Sequence, residues 1–174
     1  MLINTLETKE YNSYYQLYLD QIPANTSLLE GYQRDFEETS NFFLSLPENK
    51  LLFRYAENKW SCQEILQHLI DTERIFIHRC FRIARGETQN ITGFNQDDYL
   101  PPAGADSKSL TQLLEEFSTT RNYSNNLLQS LTDDALRTIG TANQSAMSAR
   151  AAAFVVLGHN QWHKQIIKTR YLSC

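Results

Sequence analysis

Apolar residues recur along most of this chain at intervals of three and four, the spacing of helices that each bury one face. Leu28, Leu29, Tyr32, Phe36, Phe43 and Leu46 set out a first helix from about Asn25 to Leu46. A second opens at Ser61, where Ser61 and Glu64 form a capping box and Trp60 with Ile65 forms a hydrophobic staple. Its apolar face continues through Leu69, Phe76, Cys80 and Ile83 and stops at Gly86, a natural C′ residue. Ser109 and Gln112 predict the cap of a third helix, whose core face holds Leu110, Leu113, Leu114, Phe117, Leu127, Leu128 and Leu131. Ser148 caps a fourth helix that runs to about Tyr171. An arm rich in tyrosine (Tyr11, Tyr14, Tyr15, Tyr18) precedes the first and reads as a short helix.

These elements predict an all-α fold, a four-helix bundle. The connection of about twenty residues from Gly86 to Ser109 is too long for a tight antiparallel turn, so a long crossover joins helices two and three. Such loops often cross the mouth of a bundle and shape a pocket. Neither a repeat nor a linker divides the 174 residues, and a single domain over 1–174 is expected.

Composition mainly excludes. A net charge of −4 and a pI near 5.6 offer no electrostatic basis for a nucleic-acid or anionic-membrane partner. No apolar run approaches membrane-span length, and the N-terminus lacks the basic start and apolar stretch of a signal peptide, so a cytoplasmic location is expected. The three cysteines agree with a reducing compartment. Cys62 and Cys80 lie on one face of helix two, roughly 27 Å apart by the helical rise. They cannot bridge there and read as small buried hydrophobes; Cys174 is the last residue.

The candidate chemistry lies in helix four. His159 and His163, four residues apart, project from one side with about 40° of arc between them. Val155, Val156, Trp162, Ile166 and Ile167 fall around the same direction, so the stripe that should face the core carries two imidazoles. Burying them is costly unless their lone pairs are satisfied. Hydrogen bonds to backbone, Gln165 or Tyr171 would do it, and so would a divalent metal, for which imidazole is the commonest nitrogen ligand. A metal needs a third protein ligand, and helix two offers His68 or His78. His68 is the better placed, on the shoulder of the apolar arc beside Thr72, whereas His78 aligns with Arg74, Arg82 and Arg85 on the polar side. Three imidazoles with one position left open is the pattern of a catalytic zinc rather than a structural one. Asp71, one turn after His68, either orients an imidazole or pairs with a nearby arginine. Gly158 stands mid-helix at a cost of about 1 kcal/mol against alanine, and either permits close approach of a helix near the site or is an unforced loss.

The runs RYAENKWSCQEILQHLIDTERIFIHRCFRIARGE, GFNQDDY and SARAAAFVVLGHNQWHKQIIKTRYL resemble the DinB-like superfamily over nearly the whole chain. The resemblance implies a four-helix bundle with the long crossover, usually a homodimer. It also implies a divalent metal, commonly zinc or nickel, on one helix-two histidine and the helix-four pair: here His68, His159 and His163. Many relatives read GHE-x-HH in helix four, where this chain has Asn160 and Trp162 in place of the acid and the first histidine of the pair. Members with assigned activities include transferases dependent on bacillithiol or related low-molecular-weight thiols and a mycothiol-dependent isomerase. A metal-dependent thiol S-transferase acting on a small molecule is therefore the leading expectation. The alternatives are a metal-dependent hydrolase, with Asp71 the one nameable base, and a non-catalytic stress-response helical binding module.

Overall fold

The computed structural model of the chain describes residues 1–173, so Cys174 lies outside the described residues. Four long helices carry the fold: α1 (Leu28–Leu44), α2 (Cys62–Ala84), α3 (Leu110–Gln129) and α4 (Ala149–Ile166). Three of their starts are set by serine caps. The Ser61 hydroxyl accepts from the Glu64 amide at 3.0 Å while the Glu64 carboxylate accepts from the Ser61 amide at 2.8 Å. Ser109 and Gln112 make the same reciprocal pair, and Ser148 accepts from the Ala151 amide. Gly86, at φ 83°, ends α2 in the left-handed region that glycine adopts without strain.

The first helix begins later than its periodicity predicts. Residues 25–27 lie against the N-terminus: the Ile3 amide donates to the Thr26 carbonyl at 3.0 Å, and the Leu28 amide to the Met1 carbonyl at 2.9 Å. Backbone groups used in that pairing are not free to extend the helix. The fourth helix also changes character before its expected end. From Ile167 to Tyr171 it widens into a π-turn that seats both residues in the core, with the Tyr171 hydroxyl donating to the Trp60 carbonyl at 2.7 Å. The tyrosine arm is a chain of 3₁₀ turns ending in one α-helical turn, Gln16–Leu19.

One element had no counterpart in the helical reading. A hairpin of β1 (Ile139–Ala142) and β2 (Ser145–Ser148) precedes α4, turning through Asn143 and Gln144 at φ 49° and 61°. It anchors the crossover, because the Ile91 amide donates to the Thr141 carbonyl and the Asn143 amide to the Ile91 carbonyl, at 2.9 and 2.8 Å.

The apolar core forms two clusters. One gathers Tyr18, Tyr32, Phe76, Ile77, Phe154 and Val155; the other gathers Phe43, Ile65, Leu66, Phe117, Ile167 and Tyr171. Between the stretches that α2 and α4 give to these clusters fall buried polar residues, Thr72 and Glu73 on α2 and His159, Asn160, His163 and Lys164 on α4. Arg121 of α3, 1% exposed, is the hub of this polar layer. It donates to both oxygens of Glu73 at 2.9 to 3.3 Å, to Asp35 at 2.9 Å and to the Tyr32 carbonyl at 2.6 Å.

Candidate metal centre

The helical rotation of α2 and α4 turns three imidazoles toward one point. His159 Nε2 lies 3.0 Å from His68 Nε2 and 3.1 Å from His163 Nε2, and the three rings are 4 to 6% exposed. Within the described residues this is the group of histidine, cysteine and carboxylate side chains placed to share an ion, with donor atoms within 4.8 Å of one another. His78 is exposed, about 80° round α2 from His68. Gln165 is exposed and Tyr171 bonds Trp60, so neither serves the imidazoles.

The geometry is hard to satisfy with protons alone. A neutral imidazole Nε2 carries either one proton or one lone pair, so it makes one hydrogen bond. His159 Nε2 meets two other Nε2 atoms at hydrogen-bond distance, and its single proton or lone pair cannot serve both with good geometry. A cation accepting all three lone pairs removes the conflict. Tetrahedral zinc with nitrogen at about 2.0–2.1 Å brings its nitrogens to about 3.3 Å of one another, close to the two spacings seen. The donor set fits a divalent metal.

Burial and mutual proximity also keep the rings neutral, the state a ligand needs. Burial pushes His68 down to about 4, and it holds His159 and His163 well below the ordinary histidine range, helped by the neighbouring rings. Thr72 Oγ1 stands 3.4 Å from His68 Nδ1, whereas His159 Nδ1 and His163 Nδ1 have no protein partner.

Aromatic rings enclose the cluster. Trp60 packs on His68 and lies nearly parallel to His163, Trp162 sits edge-on to His163, and Tyr18 sits edge-on to His159. Tyr18 arrives on the N-terminal arm because Gly158 leaves room for it: a Cβ there would lie 2.0 Å from the Tyr18 carbonyl oxygen. Close approach is thus the reading of Gly158 that holds, and its neighbour is the arm.

The structure decides between the two readings of Asp71. Asp71 neither faces an imidazole nor lines the cavity beside the cluster. It accepts from Gln67 at 3.2 Å and Arg74 at 3.1 Å, which makes it an ion-pair residue and removes it as a candidate base. Asn160 donates to Asp35 at 2.7 Å, so the position that is acidic in many relatives points here into the polar layer. Cys62 and Cys80 are buried and free, with thiols pushed up to about 12 by burial, consistent with inert packing.

Beside the cluster a cavity of about 470 Å³ opens between the arm, α2, the crossover and the hairpin, with His159 and Thr72 in its wall. Tyr18 and Arg79 also line it. Arg79 was not singled out from the sequence and Tyr18 was named only as part of the arm, because their relation to the histidines depends on how separate segments pack.

A helical bundle with a buried tris-histidine cluster at the foot of a side cavity defines a class of metal-binding scaffold. The DinB superfamily model matches residues 32–167, and the chain belongs to that family. Among solved structures, YfiT from Bacillus subtilis superposes with a TM-score of 0.74 at 13% identity, covering 94% of this chain and 93% of its own. It is described as a probable metal-dependent hydrolase with an unusual four-helix bundle topology. The mycothiol-dependent maleylpyruvate isomerase superposes at 0.64 with 10% identity over 79% of this chain, which spans 58% of that protein. At such identities the likeness shows the fold. No curated protein matches the sequence.

Proposed function

We propose that this protein is a divalent-metal enzyme, with zinc or nickel held by His68, His159 and His163, and that it is a thiol-dependent S-transferase acting on a small molecule. The observation that carries the metal is the paired 3.0 and 3.1 Å contacts at His159 Nε2. A bound divalent ion supplies an uncompensated +2 charge, which favours an anionic ligand in its open position and lowers the pKa of a thiol there. The chain's own residues do the rest. Thr72 stands behind the His68 ring, while Trp60, Trp162 and Tyr18 keep water from the imidazoles. The adjoining cavity holds the second reactant against the thiol, and positioning of this kind supplies much of the acceleration in bimolecular chemistry.

A general base is what separates this reading from hydrolysis. Asp35 and Asp71 are both engaged by cations and amides. The cavity's one carboxylate, Asp97, belongs to the exposed crossover. A thiol ionised by the metal needs no such base, and this favours transfer. Hydrolysis remains the second reading, supported by the likeness to YfiT and by Asp97 in the cavity wall. A homodimer and a cytoplasmic location complete the proposal on the strength of the family. No helix among the described residues is long and apolar enough to cross a membrane.

Elemental analysis after metal supplementation tests the foundation: about one equivalent of a transition metal is expected, and less than a tenth overturns both enzyme readings. His163→Ala should lower metal affinity by more than the ~10–100-fold that loss of a supporting contact costs. Cobalt-substituted protein should change its spectrum on titration with small thiols; no change with any thiol rejects the transferase. Thiol-dependent turnover of a model electrophile, lost in His163→Ala while the helical signal persists, is the positive result.

A further inference from the structure

Arg79 is 2% exposed and lines the cavity beside the histidines, yet among the described residues no hydrogen bond or ion pair reaches its guanidinium, and its buried Nε has no partner. Every other buried arginine has an acid: Arg121 has Glu73 and Asp35, and Arg150 has Glu10. A guanidinium taken out of water without an anion is costly and is seldom kept unless something neutralises it. Arg79 instead lies over the Phe76 ring, at 4.7 Å, with Phe94 of the crossover at 6.0 Å. These rings hold the group in place without cancelling its charge. Asp97, the one carboxylate in the cavity wall, is exposed and makes no ion pair with it.

We infer that Arg79 is the anchor for a carboxylate on the small molecule that occupies this cavity. The direction of the side chain supports this. Helical side chains lean toward the N-terminus of their helix, and the stacking on Phe76 puts the guanidinium on the side of Arg79 that faces His68. Two helical turns, roughly 12 Å by the rise per residue, separate the Cα atoms of His68 and Phe76. A molecule of drug-like length bridges that span, and 470 Å³ is ample for it. Arg79 is the sole lysine or arginine in the wall, so a singly charged carboxylate matches it better than a phosphate dianion. The ligand class is an acid whose carboxylate sits on Arg79 and whose far end reaches the histidines. The far-end assignment rests on the proposed metal site; the carboxylate anchor does not.

Two arms test them apart. In the metal-free protein, hexanoate should raise the thermal midpoint where 1-hexanol and hexyl phosphate at equal concentration do less, and Arg79→Gln should abolish the difference. Equal shifts with hexanoate and hexanol, a larger shift with hexyl phosphate, or an unchanged difference in the variant overturns the anchor. In the zinc-loaded protein, 6-mercaptohexanoate should bind at least tenfold tighter by calorimetry than 6-mercapto-1-hexanol. Arg79→Gln should erase that ratio while leaving the mercaptoalcohol affinity alone. A ratio near one with hexanoate still protecting the metal-free protein overturns the bridging geometry only. Arg79→Lys retains the charge and should keep part of the carboxylate preference, which guards against a variant that merely folds badly.

Discussion

At the scale of single residues, Asn160 explains a departure from its family. Its side chain sits 2.7 Å from Asp35, which Arg121 and Lys164 already engage at 2.9 and 3.5 Å. A carboxylate at position 160 would face Asp35 directly, and two buried acids that close cannot both ionise cheaply. The amide donates where an acid would repel. Asn160→Asp is expected to destabilise the fold by about 3 kcal/mol near neutral pH, with the loss shrinking in acid as one carboxyl protonates; urea unfolding at two pH values measures it. His159 and His163 were legible in the sequence because two imidazoles on an apolar stripe break the pattern. Arg79 was not, although it falls on the same shoulder of α2 as His68 and Thr72, since the helical wheel gives no sign of which wall that shoulder will meet.

Among the elements, the N-terminal arm is the one most dependent on tertiary contact. Its turns are too short to persist alone. Tyr18 packs over Gly158, and Arg150 of α4 clasps Glu10, donating to one carboxylate oxygen at 2.7 Å and to the Thr5 carbonyl at 2.9 Å. Gly158→Ala gains about 1 kcal/mol of helix propensity, but its Cβ meets backbone that cannot rotate away. The net effect is a loss of about 1–3 kcal/mol and faster proteolysis within the first twenty residues, read by limited digestion. Burial alone would raise the Glu10 carboxyl, yet hydrogen bonds from Arg150, Ser148 and the Glu7 backbone outweigh it and hold it below its ordinary 4.5. The folded state therefore binds that proton less readily than the unfolded chain. The clasp's contribution is present above pH 4.5 and fades as pH falls below it. Glu10→Gln should remove this acid dependence and leave a uniformly weaker arm, seen by amide exchange across pH 3 to 7 as ~10-fold or greater loss of protection at pH 7.

On the scale of the whole molecule, α1, α2, α3 and α4 are joined across the middle by charge rather than by apolar contact. Arg121 ties α3 to Glu73 on α2 and Asp35 on α1, and Lys164 brings in α4. Glu73→Ala leaves a fully buried guanidinium with half its anionic partners and should cost about 3–5 kcal/mol. Replacing Arg121 and Glu73 together with methionine and leucine should cost much less, because no charge is then stranded. Chemical denaturation of the single and double variants decides it; equal losses would show that the layer acts only through packing. The same layer lies beside the histidines on α4, so Glu73→Ala should also weaken metal binding, whereas a surface variant such as Lys168→Ala should not.

Periodicity and capping are short-range, and they were enough to specify the four helices, three of their serine caps, the glycine stop at Gly86 and the i, i+4 pair on α4. Each depends on residues within a turn or two of one another. Helix packing decided that His68, which the helical wheel already favoured over His78, meets that pair, because the outcome depends on the rotation of one helix against another. It also decided the late start of α1, whose first residues pair with the distant N-terminus, and the hairpin, whose turn runs through Asn143 and Gln144 without the glycine that usually marks one. The polar layer and the cavity draw on four and more separate segments at once. Partners in the polar layer lie up to 129 residues apart and those in the cavity wall up to 133 for a hydrogen bond, and no local pattern encodes a contact made across that distance.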